Sequence, residues 1–404
     1  MNVHTTSEGI SATRADPPWR MWIAAWLITA VFILSNSATP LYIRWQAEIG
    51  FTSGTLTTIF AAYIFGLLVT LLIAGQLSDR YGRKVVLIPG LLSAIVACFL
   101  FATAHDVTML VIARLLSGVA VGVIVSAGMA SVVDLGGPER RKLASLVASV
   151  AMVLGAGLGP LLAGALARTL TQPIVPIFSV ELLVLVSALA IAALLPLKRP
   201  PRKAGDAWRL HLPSVPHANR RHLALGIAVF GPGITATSFV LSLGPSLLSR
   251  LLGVTSPLIA GGMACAMFLT ATGVQFAVKS LPIRTIFLLG SIAAILSMLG
   301  VILAVNASIA AVLIIAALLA GAAQGLGQLG GLTLIGLHVP THRRAEANSV
   351  LNFGGYIPAG LLPVATGYLI DKTGLAIGAS SFAAALGACA VIAAIFVADS
   401  LKTE

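Results

Sequence analysis

The sequence predicts an all-α integral membrane protein of twelve transmembrane helices in two pseudo-symmetric six-helix bundles, and three observations predict it. Of 404 residues, 58% are apolar and only 9% charged, against about a quarter charged in water-soluble domains. The apolar residues gather into runs of roughly 18 to 25, the length of a helix crossing the hydrocarbon core, not the alternating ~10-residue segments of a membrane barrel. The two halves of the chain also repeat one another. Ala113, Leu115, Leu116, Gly118, Ala120 and Gly122 recur as Ala316, Leu318, Leu319, Gly321, Ala323 and Gly325. At the same offset Arg140 and Arg141 recur as Arg343 and Arg344, while Gly157, Pro160 and Gly164 recur as Gly360, Pro363 and Gly367. One constant offset over separate regions marks a duplication, an organisation that builds a binding site at the repeat interface.

The spans read as 21–42, 54–77, 85–103, 107–133, 143–167 and 174–196 in the first half, then 223–247, 256–277, 285–305, 308–335, 346–369 and 375–397 in the second. A polar tail, 1–20, leads straight into a span of full length, so no cleavable leader is expected. The first bundle covers 21–197 and the second 222–404; between them 198–221 is a linker rich in Pro and basic residues.

Lys and Arg set the orientation. One side of the membrane holds only Arg44, Arg168, Arg250 and Lys372; apart from Arg114, which lies within a span, the rest of the 25 basic residues fall on the other side. That side is expected to be cytoplasmic and to hold both termini. The net charge of +12 is therefore a topology signal and an attraction to anionic headgroups, not a nucleic-acid surface. Cys98, Cys265 and Cys389 lie inside spans far apart in sequence, so neither a disulfide nor a metal site is expected. No nucleophile, nucleotide or cofactor motif points to an enzyme.

Between spans 2 and 3, Gly75-Gln-Leu-Ser-Asp-Arg-Tyr-Gly-Arg-Lys84 puts three basic side chains, one acid and two glycines into one tight turn. Basic residues anchor topology, but topology gives no reason for an acid. The segment resembles the loop between helices 2 and 3 of the major facilitator superfamily, G-x-L-x-D-R-x-G-R-[KR], at Gly75, Leu77, Asp79, Arg80, Gly82 and Arg83, with Lys84 following. The resemblance implies a carrier, and a latch on its cytoplasmic side. Asp79 is expected to meet the positive N-terminal end of helix 11, near Ala345, while Arg83 reaches Asp134 at the end of helix 4. Together they would hold the halves shut inside while a cavity opens outward. The simpler alternative is that Arg80 and Lys84 only anchor and Asp79 caps a turn.

Helix 4 carries Arg114, Gly118, Gly122 and Ser126 one turn apart on one face, similar to the family's R-x-x-x-G-x-G motif with its second glycine displaced. A charge at that depth costs about 2.5 to 3.5 kcal/mol on insertion scales, so Arg114 is a functional candidate; snorkelling to the outer surface is the alternative. Helix 5 carries Gly155, Gly157, Gly159, Pro160, Ala163 and Gly164, resembling the G-x-x-x-G-P-x-x-G-G motif of family members that export by antiport. Ala163 replaces one glycine. Close helix contact plus a proline-weakened bend suits a rocking interface.

Glu181, on helix 6 at a depth similar to Arg114, is expected either to pair with that guanidinium or to be the group that carries a coupling proton. Pairing is the preferred reading, because helix 6 is peripheral in this superfamily. Asn36 stands on helix 1 where an exporter of this kind often has an acid. Further polar residues fall at helical spacing on helices expected to line the cavity: Thr235, Ser238 and Ser242 on helix 7, Gln324 and Gln328 on helix 10, Asn352 and Tyr356 on helix 11. As a set they imply a mostly neutral cavity with one fixed cation, suited to neutral or anionic amphipathic solutes.

The resulting expectation is a monomeric carrier in the cell's inner membrane, most simply a proton-coupled exporter of a small-molecule substrate, with protons as coupling ion, lipid as its surroundings and no cofactor. Uptake by a symporter or facilitator, and a membrane sensor without transport, are the rival readings.

Overall fold

The computed structural model describes residues 17–197, 219–340 and 343–401; most of the basic linker lies outside the described residues. Among them are twelve helices long and apolar enough to cross a membrane. These are α1 (Trp19–Ile49), α2 (Ser53–Tyr81), α3 (Arg83–Ala102), α4 (Val107–Gly136), α5 (Arg141–Thr169) and α6 (Ile174–Leu194). The second half follows with α7 (Arg220–Leu251), α8 (Pro257–Val278), α9 (Ile283–Ala307) and α10 (Ala310–His338), then α11 (Arg344–Thr373) and α12 (Leu375–Ser400).

The packing repeats with the sequence. In the first half α2 and α3 lie against α4, α1 against α5 and α3 against α6; in the second α8 and α9 lie against α10, α7 against α11 and α9 against α12. Each pair maps onto a pair six helices later, which is what a duplicated bundle requires. The most extensive contacts between the halves are α2 with α11 and α5 with α8, and the same symmetry exchanges them. The face where α1 begins and α12 ends is here the terminal face; the other is the opposite face.

Lipid-like solvent supplies no hydrophobic force between helices, so small residues and close backbones hold them. Gly66 and Gly118 illustrate this at the α2–α4 crossing: a Cβ on Gly118 would strike the Tyr63 carbonyl, and one on Gly66 the Leu115 carbonyl. Gly122 continues that stripe against Leu67 and Thr70. On α5 the motif divides between two neighbours. Gly155 and Gly159 sit on α1 at Thr29 and Ile33, while Gly164 sits on α8 at Pro257.

Two sequence boundaries need correction. Span 1 does not stop at 42: a 3-10 turn at Thr39–Leu41 redirects the chain, and a further helix runs from Tyr42 to Ile49. It is kept by aromatic burial, Trp45 stacking on Phe101 and Phe178 at 5.9 and 6.1 Å. Nor is Gly75–Lys84 a loop. Helix α2 continues through Tyr81 and α3 starts at Arg83, so the turn is Gly82 alone. Its φ of +99° is strained for any residue with a Cβ, which is why one residue suffices. Asp79 and Arg80 thus ride on the last turn of α2.

Candidate functional site

A cavity of about 460 Å³ lies between the halves, a volume suited to a small molecule. Its wall comes from α1, α2, α4 and α5 on one side and α7, α8, α10 and α11 on the other; Arg114 is the one charged residue in it among the described residues. Toward the opposite face its lining reaches Arg114, Asn36 and Phe60. From there the cavity runs to Gln275 and Asn348, each within about one helical turn of the terminal-face end of its helix.

Arg114 is only 1% exposed. Its Nε donates to the Tyr42 hydroxyl and its Nη1 to the Ser35 carbonyl at 2.6 Å, while Nη2 has no protein partner. Four rings surround the guanidinium, those of Tyr42, Phe60, Tyr63 and Phe101, with centroids 5.1 to 6.0 Å from its carbon. Desolvated cation–π contacts reach about 2 kcal/mol each, and this cage explains how the charge stays buried beside no acid. Snorkelling is excluded by the same geometry.

The expected Arg114–Glu181 pair is not formed. Glu181 is buried on α6, away from the cavity wall and near Cys98 and Ser37; its Oε2 has no partner. Residues 35 to 37 of α1 run between the two charges, Ser35 facing the guanidinium and Ser37 the carboxyl. Equal depth on two helices did not bring the side chains together, because α1 packs between α5 and α6 and the aromatic cluster of Phe101 and Phe178 fills the remaining space.

The two ends of the cavity differ. At the opposite face the halves are in contact. The Asp371 carboxylate, at the end of α11, accepts from the backbone N–H groups of Ser53 and Gly54 at 2.9 Å each, the first turn of α2. Backbones meet there too: a Cβ on Gly261 of α8 would strike the Pro160 carbonyl of α5, and one on Gly54 would lie 2.6 Å from the Tyr368 ring.

At the terminal face the contacts of Asp79 and Arg83 lie inside the first half. Arg83 binds Asp79 at 2.6 Å, Ser78 at 2.9 Å and Asp134 at 3.0 Å. The expected contact of Asp79 with the start of α11 is absent: its carboxylate is 71% exposed and turned to Arg83. A Cβ on Gly75 would meet nothing within 4 Å. Arg80 lies over the Tyr81 ring, and Lys84 donates to the Ala193 carbonyl at the end of α6, a cation on a helix C-terminus.

Of the polar residues read from the sequence, Asn36, Ser238, Gln324, Gln328, Asn352 and Tyr356 line the cavity. Thr235 and Ser242 do not. On α7 the cavity stripe is Ile234, Thr237, Ser238 and Leu241, while Thr235 and Ser242 lie on the adjoining buried stripe and bond the Gly231 and Ser238 carbonyls of their own helix. Tyr63, Thr237, Gln275 and Asn348 also line the cavity and were missed. Their own spacing carries no signal, since only the orientation of each helix in its bundle selects them. Asp371 was missed although a signal existed: an acid at the very end of a span on the face with few basic residues.

Comparison with known proteins agrees with this architecture. The sequence profile of the Major Facilitator Superfamily matches residues 21–363. A triacylglyceride transporter of Mycolicibacterium smegmatis is 36% identical over 108 residues, 26% of this chain and 19% of that one. The quinolone resistance protein NorA of Staphylococcus aureus is 25% identical over 129 residues, 31% of this chain and 32% of that one. The alignments thus span no more than about a third of these curated relatives. Among solved structures, a bacterial homologue of the human lysosomal transporter Spinster, in an inward-facing and unoccupied conformation, superposes with a TM-score of 0.73 over 94% of this chain and 95% of its own. At 15% identity that likeness shows the fold alone.

Proposed function

The chain belongs to the major facilitator superfamily, and from that premise we propose that it is a secondary transporter exporting a small molecule by alternating access at the expense of a proton gradient. One observation carries the reading. The cavity between the halves is shut by contacts between them at one end and runs toward the surface at the other, which is one end state of a carrier whose halves rock about a central site.

The halves 21–197 and 222–404 are the two moving bodies and 198–221 the tether. The bias of Lys and Arg supports a cytoplasmic terminal face with both termini inside the cell membrane, so this state is the inward-facing one. Gly75, Asp79, Arg80, Gly82, Arg83, Lys84 and Asp134 then form the latch of the other state. When the cytoplasmic ends close, the start of α11 approaches the end of α2, and Asp79 exchanges water for the positive end of that helix. The space at Gly75 is the room such an approach requires.

Export is supported by the glycines and proline of α5, which pack on α1 and α8 at once, and by the local likeness to a relative named for quinolone resistance. Glu181 is the proton carrier in this reading, being the one buried acid among the described residues; a buried carboxyl without a counter-charge in a membrane span is a functional candidate by default. The test is flux by the purified full-length chain in proteoliposomes, screened over metabolites and antibiotics with and without a pH gradient. Uphill movement that collapses with the gradient supports the reading; binding without flux overturns it.

A further inference from the structure

Resting on that transport reading, we propose that the substrate carries a single carboxylate on an apolar body, and that this carboxylate docks on the unpaired edge of Arg114. A guanidinium has five N–H donors in a planar fork. Tyr42 takes Nε and Ser35 one hydrogen of Nη1, so the edge formed by Nη2 and the rest of Nη1 has no protein acceptor, and Nη2 is buried and unpaired. That edge has the spacing of a bidentate carboxylate contact.

The charge count points the same way. Among the described residues Arg114 has no ion-pair partner and no acid lines the cavity. An anion entering therefore supplies the missing counter-charge, whereas an organic cation meets a like charge and nothing to neutralise it. One fixed positive charge balances one negative charge, which favours a monoanion over a phosphate dianion. About half of the other lining residues are Phe, Leu, Ile, Val or Met, which suits an apolar body. Two further buried acceptors lack partners, Gln324 Oε1 and Asn348 Oδ1. Both belong to the second half, so a substrate that donates a hydrogen bond at its far end ties the halves together across the cavity.

The test uses three probes with one body: 4-phenylbutyrate, 4-phenylbutanamide and 4-phenylbutylammonium. Each is titrated against the full-length protein in lipid nanodiscs, and apparent Kd is read from ligand-dependent thermal stabilisation. The expected result is at least tenfold tighter binding of the carboxylate than of either other probe, with that preference lost in Arg114→Met and weakened in Arg114→Lys, where the fork is gone but the charge remains. The wild-type ranking stands without any variant, and Arg114→Lys serves if Arg114→Met does not fold. No carboxylate preference, whether because the probes bind alike or because none binds, overturns the proposal, as does a preference that survives Arg114→Met. Flux in proteoliposomes separates it from the transport reading: a carboxylate preference without flux of any probe sustains this proposal and sinks the other.

Discussion

In the proposed transport cycle the two faces of the molecule use one device in two conditions. At the opposite face a carboxylate, Asp371, sits on the first turn of a helix from the other half and closes the cavity. At the terminal face a carboxylate, Asp79, is bound within its own half to Arg83; in the latch proposed above it turns instead to a helix start in the other half. The comparison teaches that a motif need not be engaged where it is recognised. A latch made of one carboxylate and a helix N-terminus gains about 1 to 2 kcal/mol, enough to bias two states without locking either. It is also free to exchange partners as the halves rock.

The largest expected effect comes from blocking the engaged face by bulk. Gly261→Val drives a side chain into the Pro160 carbonyl, so the opposite face cannot close; flux per folded molecule should fall to background. Spin labels at Thr171 and Lys372 should report a widened separation across that face. An unchanged distance with normal flux would sink the claim that α5 and α8 must touch there.

Next is Asp371→Asn, which keeps the shape and removes the charge. Loss of about 1 to 2 kcal/mol should move the population roughly tenfold toward the state open at that face. The same label pair measures it, and a distribution matching wild type would break the comparison at its better observed end.

Asp79→Asn sharpens it from the other side. In this state its ion pair with Arg83 is largely exposed and worth ~0 to 1 kcal/mol, so thermal stability and the label distances of this conformation should hardly move. Transport should nevertheless be lost, because the state in which Asp79 meets α11 is weakened. Normal flux in the mutant would mean that the motif residue does not act as a latch at all.

The smallest effect is a predicted absence, at the pivot between the faces. Since Arg114 and Glu181 lie on either side of α1 and do not touch, Arg114→Met and Glu181→Gln should destabilise additively, with coupling below about 0.5 kcal/mol. Mutual rescue in the double mutant, seen as a recovered melting temperature, would show that the two charges do pair in some populated state. The Glu181→Gln single mutant should exchange substrate while losing its response to a pH gradient.

Much of this was legible along the chain because its causes are local or repeat. Twelve spans follow from runs of apolar residues, the pairing of Arg83 with Asp134 from a short motif, and the Gly118 and Gly159 contacts from glycines at helical spacing. Other features were not legible. Thr235 and Thr237 differ by two residues and fall on different stripes, and nothing in either residue says which stripe faces a cavity. Arg114 and Glu181 share a depth, yet an intervening helix keeps them apart.

The amino-acid sequence by itself determined that this protein is a duplicated bundle of membrane helices, because hydrophobic length and internal repetition are properties of the chain. It also determined which acids and glycines are available to the two faces. Only the tertiary structure decided which face is shut, which polar side chains see the cavity, and that the buried guanidinium is held by aromatic rings instead of an acid. Those outcomes depend on how helices far apart in sequence are rotated and pressed together, and on the contacts between the halves.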